Sequence, residues 1–118
     1  MSNYVDSFLI PVPKENLGKY EEMARLSATV WKELGALDYF ECMADDAPVG
    51  EVTSFPRSVD LKDGEIVIFA VVTYKDRAHR DEVNEKAFKD PRLAEMMDPT
   101  NLPFDGKRMI WGGFKKFI

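Results

Sequence analysis

Cysteine and histidine each occur once in this 118-residue sequence, at Cys42 and His79, and that scarcity removes whole classes of chemistry. One thiol cannot close an internal disulfide, and it leaves a cysteine-rich zinc site without ligands. No spacing such as HxxxH offers a metal site, and a Walker loop, a dinucleotide fingerprint and a Ser-His-Asp set are all missing; neither metal nor cofactor is expected. No stretch approaches the ~20 apolar residues of a membrane span, so no membrane partner is expected. Lys/Arg-rich runs are absent too, and 16 basic against 21 acidic residues give a formal charge of −5. That balance disfavours sequence-independent attachment to phosphate backbones, and no nucleic-acid partner is expected. The start, Met1 to Asp6, lacks the basic and apolar segments of a signal peptide, which points to the cytoplasm.

What is present is an ordinary globular composition, 45% apolar and 12% aromatic, over a length that suits one domain spanning residues 1–118. Tyr4–Pro11 reads as a strand ended by Pro11 and Pro13. A helix follows from about Lys14–Asn16, with Leu17, Tyr20, Ala24, Ser27, Trp31 and Leu34 stepping by three and four along one face, and Gly35 at the expected C-terminal cap. Ala36–Ala44 is a second strand. Val52–Leu61 is compatible with a short edge strand, since Pro56 forbids a central one, and Asp63-Gly64 is a turn signal.

Ile66–Tyr74 is the strongest strand. Asp76 suits an N-cap for a helix reaching about Lys89, where Asp90-Pro91 stops it. Arg92–Met97 can add a further helical turn, and Arg108–Phe117 a last strand. Strand-helix-strand, repeated, is the ferredoxin-like split βαβ pattern of the α+β class. A four-stranded antiparallel sheet, with room for an extra edge strand, then carries its helices on one face.

The other face should read polar if it met water. In Ile66–Tyr74 both alternating sets read as apolar: Ile66, Ile68, Ala70, Val72 and Tyr74 against Val67, Phe69, Val71 and Thr73. Something must cover the second face. A homodimer pairing its sheets is one answer, and residues 45–65 folding across is the other.

The run Pro103-Phe104-Asp105-Gly106-Lys107-Arg108-Met109-Ile110-Trp111-Gly112-Gly113-Phe114 resembles the closing signature of the YbaA-like family, small bacterial proteins described as a domain of unknown function. Tyr4-Val5-Asp6, Glu33 to Leu37, Glu41-Cys42, Arg80-Asp81 and Asp90-Pro91-Arg92 are similar to the same pattern, in register over nearly the whole chain. The resemblance implies a dimeric α+β barrel and no established activity. Its wider superfamily includes cofactor-independent monooxygenases, haem-degrading enzymes and small-molecule binders, so fold does not choose a function.

Few residues suggest a site. His79 falls in the first turn of the second helix, where the positive helix end favours a neutral ring suited to a base; the alternative is a solvated side chain. Arg80 and Asn84 flank the face that turns Val83, Ala87 and Phe88 to the sheet. They read either as polar contacts of a helix–sheet pocket or as structural hydrogen bonding, with Arg80 on a carboxylate such as Asp105. Glu41 and Cys42 point to opposite faces of one strand. Glu41 is a candidate base or a partner for Arg57 or Arg108, and Cys42 a small apolar filler. Tyr20 and Trp31 would add stacking surface, or simply fill the core.

The expectation is a small, partly apolar metabolite bound in a helix–sheet pocket, with Arg80, Asn84, Tyr20 and Trp31 as ligand contacts and Glu41 and His79 as candidates for cofactor-free acid–base or oxygenase chemistry. A non-enzymatic interaction or stress-related dimer is the alternative, with RNA binding behind it.

Overall fold

The computed structural model describes residues 2–118. β1 spans Tyr4–Pro13, two residues longer than expected, because Pro11 and Pro13 sit where their missing N–H groups do not stop the strand running on. It pairs antiparallel with β3, Glu65–Tyr74, from Tyr4↔Tyr74 to Pro13↔Glu65. β2, Asp38–Met43, lies on the outer side of β3, and β4, Ile110–Lys115, on the outer side of β1. The strand order is β2-β3-β1-β4 in one four-stranded sheet, the split βαβ arrangement the sequence pattern implies.

The helices cover the face that carries Tyr4, Asp6, Phe8, Ile10 and Val12 of β1. A single 3₁₀ turn, Lys14–Asn16, leads into α1, Leu17–Glu33. α1 buries Tyr20, Ser27 and Val30, the stripe expected from their spacing. It ends where Gly35 takes a φ of +119° and the Ala36 amide returns to the Trp31 carbonyl at 2.9 Å. α3, Arg77–Phe88, is capped by Asp76, whose side chain accepts from the His79 amide. It buries Arg80, Val83 and Ala87. Phe88 was expected to join them but is 71% exposed, one position off that face, and lies edge-on to Trp31. α4, Pro91–Met96, is capped by Asp90 and buries Leu93 against Val30 and Ala87.

The optional edge strand in 52–61 does not form. Phe55–Ser58 is instead one helical turn, α2, opened by the Ser54 side chain accepting from the Arg57 amide, with Pro56 in its first turn. Proline's fixed φ and absent donor fit a helix start, and a serine cap favours it over pairing. Among the described residues, no helix is long and apolar enough to cross a membrane.

Arg108 ties this segment to the sheet. Its guanidinium meets both Glu65 oxygens at 2.8 and 2.6 Å, the Asp60 carbonyl at 3.0 Å and Asp105 at 3.0 Å. The hydrogen bonds from Arg108 hold Glu65 below its ordinary value of 4.5. The stability this contributes is complete above that ordinary value and is lost as pH falls through the lower, folded-state one. Urea denaturation at a series of acidic pH values should therefore show wild type losing stability below pH 4.5 more steeply than Glu65→Gln. Parallel curves would remove Glu65 from the acid response.

Candidate functional site

Two polar clusters occupy the space between helices and sheet. The first is built on Asp6, which is 1% exposed and shares the helix-covered face of β1 with Tyr4, Phe8 and Ile10. Arg80 of α3 donates to Asp6 Oδ1 at 2.6 Å and to Asp81 at 2.8 Å, with its guanidinium 5.0 Å from the centre of the Tyr4 ring. Asn84, one turn further along, donates to Asp6 Oδ2 at 3.4 Å. Its own Oδ1 accepts from Trp31 Nε1 at 3.1 Å and the Tyr74 hydroxyl at 3.2 Å. Burial pushes the Asp6 carboxyl above the usual aspartate range, against Arg80 and Asn84, which pull it down. Among the described residues every buried side-chain N or O has a partner, so this cluster is a closed network joining α1, β1, β3 and α3.

The second cluster centres on Glu41. β2 turns Glu41 toward the helices and leaves Cys42 exposed. The Tyr20 hydroxyl of α1 donates to Glu41 Oε1, and the Tyr39 hydroxyl donates to Oε2 at 2.8 Å. Burial first, and then the Glu41 charge, holds both phenols well above the usual tyrosine range. The cluster borders an open cleft of about 300 Å³ between the start of α1 and β2, walled by Leu17, Ala24, Met43 and Ile68. Phe104, brought in by the loop before β4, lies edge-on to Tyr20 at 5.8 Å and closes the core behind it.

The residues singled out from sequence thus divide. Arg80, Asn84 and Trp31 share one network, and Tyr20 and Glu41 the other; Trp31 links them, its ring 6.3 Å from that of Tyr39. Arg80 takes Asp6 rather than Asp105, which bonds Arg108, and Glu41 takes two tyrosines rather than an arginine. His79 hydrogen-bonds into neither: its Nδ1 accepts from the Lys75 amide at 3.0 Å, and its ring touches only the edge of the first cluster, packing edge-on against Tyr74. No group of three or more His, Cys, Asp or Glu side chains among the described residues could hold a metal ion. Asp6, Tyr39 and Tyr74 complete the clusters. Asp6 carried a signal, a carboxylate set among alternating apolar residues, while the two tyrosines looked like any other core aromatics.

The model of a protein family described only as of unknown function, DUF1428, matches residues 3–106. The chain belongs to that family. An uncharacterised protein, YbaA, of Escherichia coli K12 is 44% identical over 115 residues, 98% of this chain and 97% of its own length. The YbaA protein of Shigella flexneri is similar to the same extent. Among solved structures, a dimeric ferredoxin-like protein from an uncultured marine organism is 12% identical with a TM-score of 0.48, over 98% of this chain and 95% of that one. A de novo designed protein, Foldit4, is 9% identical with a TM-score of 0.47 over 98% of each chain.

Proposed function

We propose that this family member is a homodimer that binds a small, partly apolar molecule in the helix–sheet cleft of each protomer, at Tyr20 and Glu41. The cleft carries this reading: apolar walls meet the Glu41 carboxylate, held by two phenols, at the border of a recess open to solvent. The Asp6–Arg80–Asn84–Trp31 network supports it from behind by fixing the helices against the sheet, and Trp31 in turn abuts Tyr39. Any acid–base step falls to Glu41, because the Nδ1 of His79 is already engaged by a backbone amide. A thermal-shift screen of metabolite-sized compounds tests the reading. An occupant at a hundredfold excess over its Kd should stabilise by about 2.7 kcal/mol. Compounds that act equally on wild type and on Glu41→Ala would place the binding elsewhere.

The dimer rests on the opposite face. There the alternation puts Val5, Ser7 and Leu9 of β1, Phe69 and Val71 of β3, Phe40 of β2 and Ile110 and Phe114 of β4 side by side, with no Lys or Arg among them. Phe69 is 38% and Phe114 57% exposed. A concavity of about 360 Å³ lies between Leu9, Phe69, Ile110 and Phe114, rimmed by Phe55 of α2, so residues 45–65 reach only part of the face. The protomer is a slab 20 Å thick that exposes 7775 Å². A compact monomer of 13.5 kDa exposes about 6,500 Å². That excess is more than the ~800 Å² a standard interface removes from each partner. Light scattering at micromolar protein should give twice the chain mass, and Phe69→Glu, at a site exposed in the protomer, should give a monomer. A monomeric wild type would overturn the pairing.

One observation favours a non-enzymatic interaction protein as a second reading: Phe55, 56% exposed on its own short helix, extends the apolar face beyond the sheet.

A further inference from the structure

Recessed carboxylates in this protein come with an arginine. Asp6 has Arg80 at 2.6 Å, Glu65 has Arg108 at 2.6 Å and Asp90 has Arg92 at 2.9 Å. Glu41 is the exception. It is half-buried, yet among the described residues no Lys or Arg comes within ion-pair distance of it. Its two partners, the hydroxyls of Tyr20 and Tyr39, are neutral donors. A carboxylate accepts at about four positions, so two phenols leave half of its capacity unused. Withdrawing a carboxylate from water without a cation is costly, and the cost is relieved when a cation arrives. Of the other polar groups at the cleft, Glu21 is turned to Arg25 at 3.2 Å, and the remaining wall, Leu17, Gly18, Ala24, Cys42, Met43 and Ile68, carries no charge.

We infer that the cleft between α1 and β2 takes a small amine cation, its ammonium on the Glu41 carboxylate and its apolar tail along Leu17, Ala24 and Ile68. This rests on the proposed cleft function and names its ligand class. Glu41 supplies the missing half of an ion pair that the fold completes internally for Asp6, Glu65 and Asp90. Tyr20 and Tyr39 hold the carboxylate in place and cannot neutralise it. An anionic ligand would meet an unpaired negative charge, and a neutral alcohol would gain only an ordinary hydrogen bond.

Three probes of one shape separate the possibilities: benzylamine, benzyl alcohol and benzoate, titrated at neutral pH into the full chain while the methyl resonances of Leu17, Ala24, Met43 and Ile68 are followed by NMR. Benzylamine should shift these methyls and bind about tenfold tighter than benzyl alcohol, the scale of a charge-assisted over a neutral hydrogen bond. Glu41→Gln should erase the amine preference and leave the alcohol's weak binding, whereas Tyr20→Phe should retain the preference. Equal affinity for amine and alcohol, or tightest binding of benzoate, would overturn the amine assignment while leaving the cleft as a binding site. Silence of all four methyls toward all three probes would remove the cleft reading itself, and the amine with it. The wild-type comparison needs no variant to fold.

Discussion

Asp6→Ala is expected to lose about 3 kcal/mol of folding stability in urea denaturation, with an unchanged m-value, at fixed protein concentration. The side chain is 1% exposed and accepts from both Arg80 and Asn84. Its removal leaves a guanidinium whose side chain is only 11% exposed facing an apolar strand. Breaking a buried pair from one side typically costs ~3–5 kcal/mol, because the surviving charge keeps its desolvation penalty. Arg80 retains Asp81 at 2.8 Å, a carboxylate that is 58% exposed, and that places the loss at the lower end of the range. Asp6→Asn keeps the shape and an acceptor, and should cost roughly half as much. Equal, small losses for both variants would mean that the network carries little net energy.

Gly113→Ala should be the second most damaging change, at about 1–3 kcal/mol, and its sign is informative. Glycine inside a strand normally costs stability relative to alanine, so Gly→Ala in a strand tends to stabilise. At position 113 a Cβ would collide with the Tyr4 hydroxyl oxygen and lie 2.8 Å from an Arg80 nitrogen. Tyr4 is buried and Arg80 is fastened to Asp6, so neither can withdraw cheaply. Gly18 in α1 offers the contrast. A Cβ there meets nothing within 4 Å, and Gly18→Ala should stabilise by about 0.5–1 kcal/mol through helix propensity. Two glycine-to-alanine changes of opposite sign separate lack of space from backbone entropy. A stabilising Gly113→Ala would show that Tyr4 and Arg80 yield.

The elements were legible where a short-range pattern repeats. Tyr20, Ser27 and Val30 reach the core along the three-and-four spacing of α1, and the two-sided apolar character of Ile66–Tyr74 identifies a strand at the centre of a sheet. Misreadings fell where one residue type serves two structures. Pro56 forbids a central strand, but it also opens a helix, and the Ser54 cap decided for the turn Phe55–Ser58. Phe88 is apolar and adjacent to buried Ala87, yet 100° of helical rotation separates neighbours, and it points outward.

The candidate site was harder to see. Arg80 and Asn84 stood out as polar groups beside a buried face, and Glu41 as a carboxylate in an apolar strand. Their partners lie far off in sequence: Arg80 reaches Asp6 across 74 positions, and Tyr20 reaches Glu41 across 21. Alternation along a strand and the 3.6-residue turn of a helix are local, so they tell which face a side chain takes and how much apolar surface must be covered. Which acid meets which base depends on strand order and register, here Asp6 lying opposite Gly113 and Val72 while α3 crosses above. Those are set only when the whole sheet closes. So the chain's own pattern specified an α+β sheet with two apolar faces, and three-dimensional packing decided that Arg80 is matched within the fold while Glu41 is left facing the cleft.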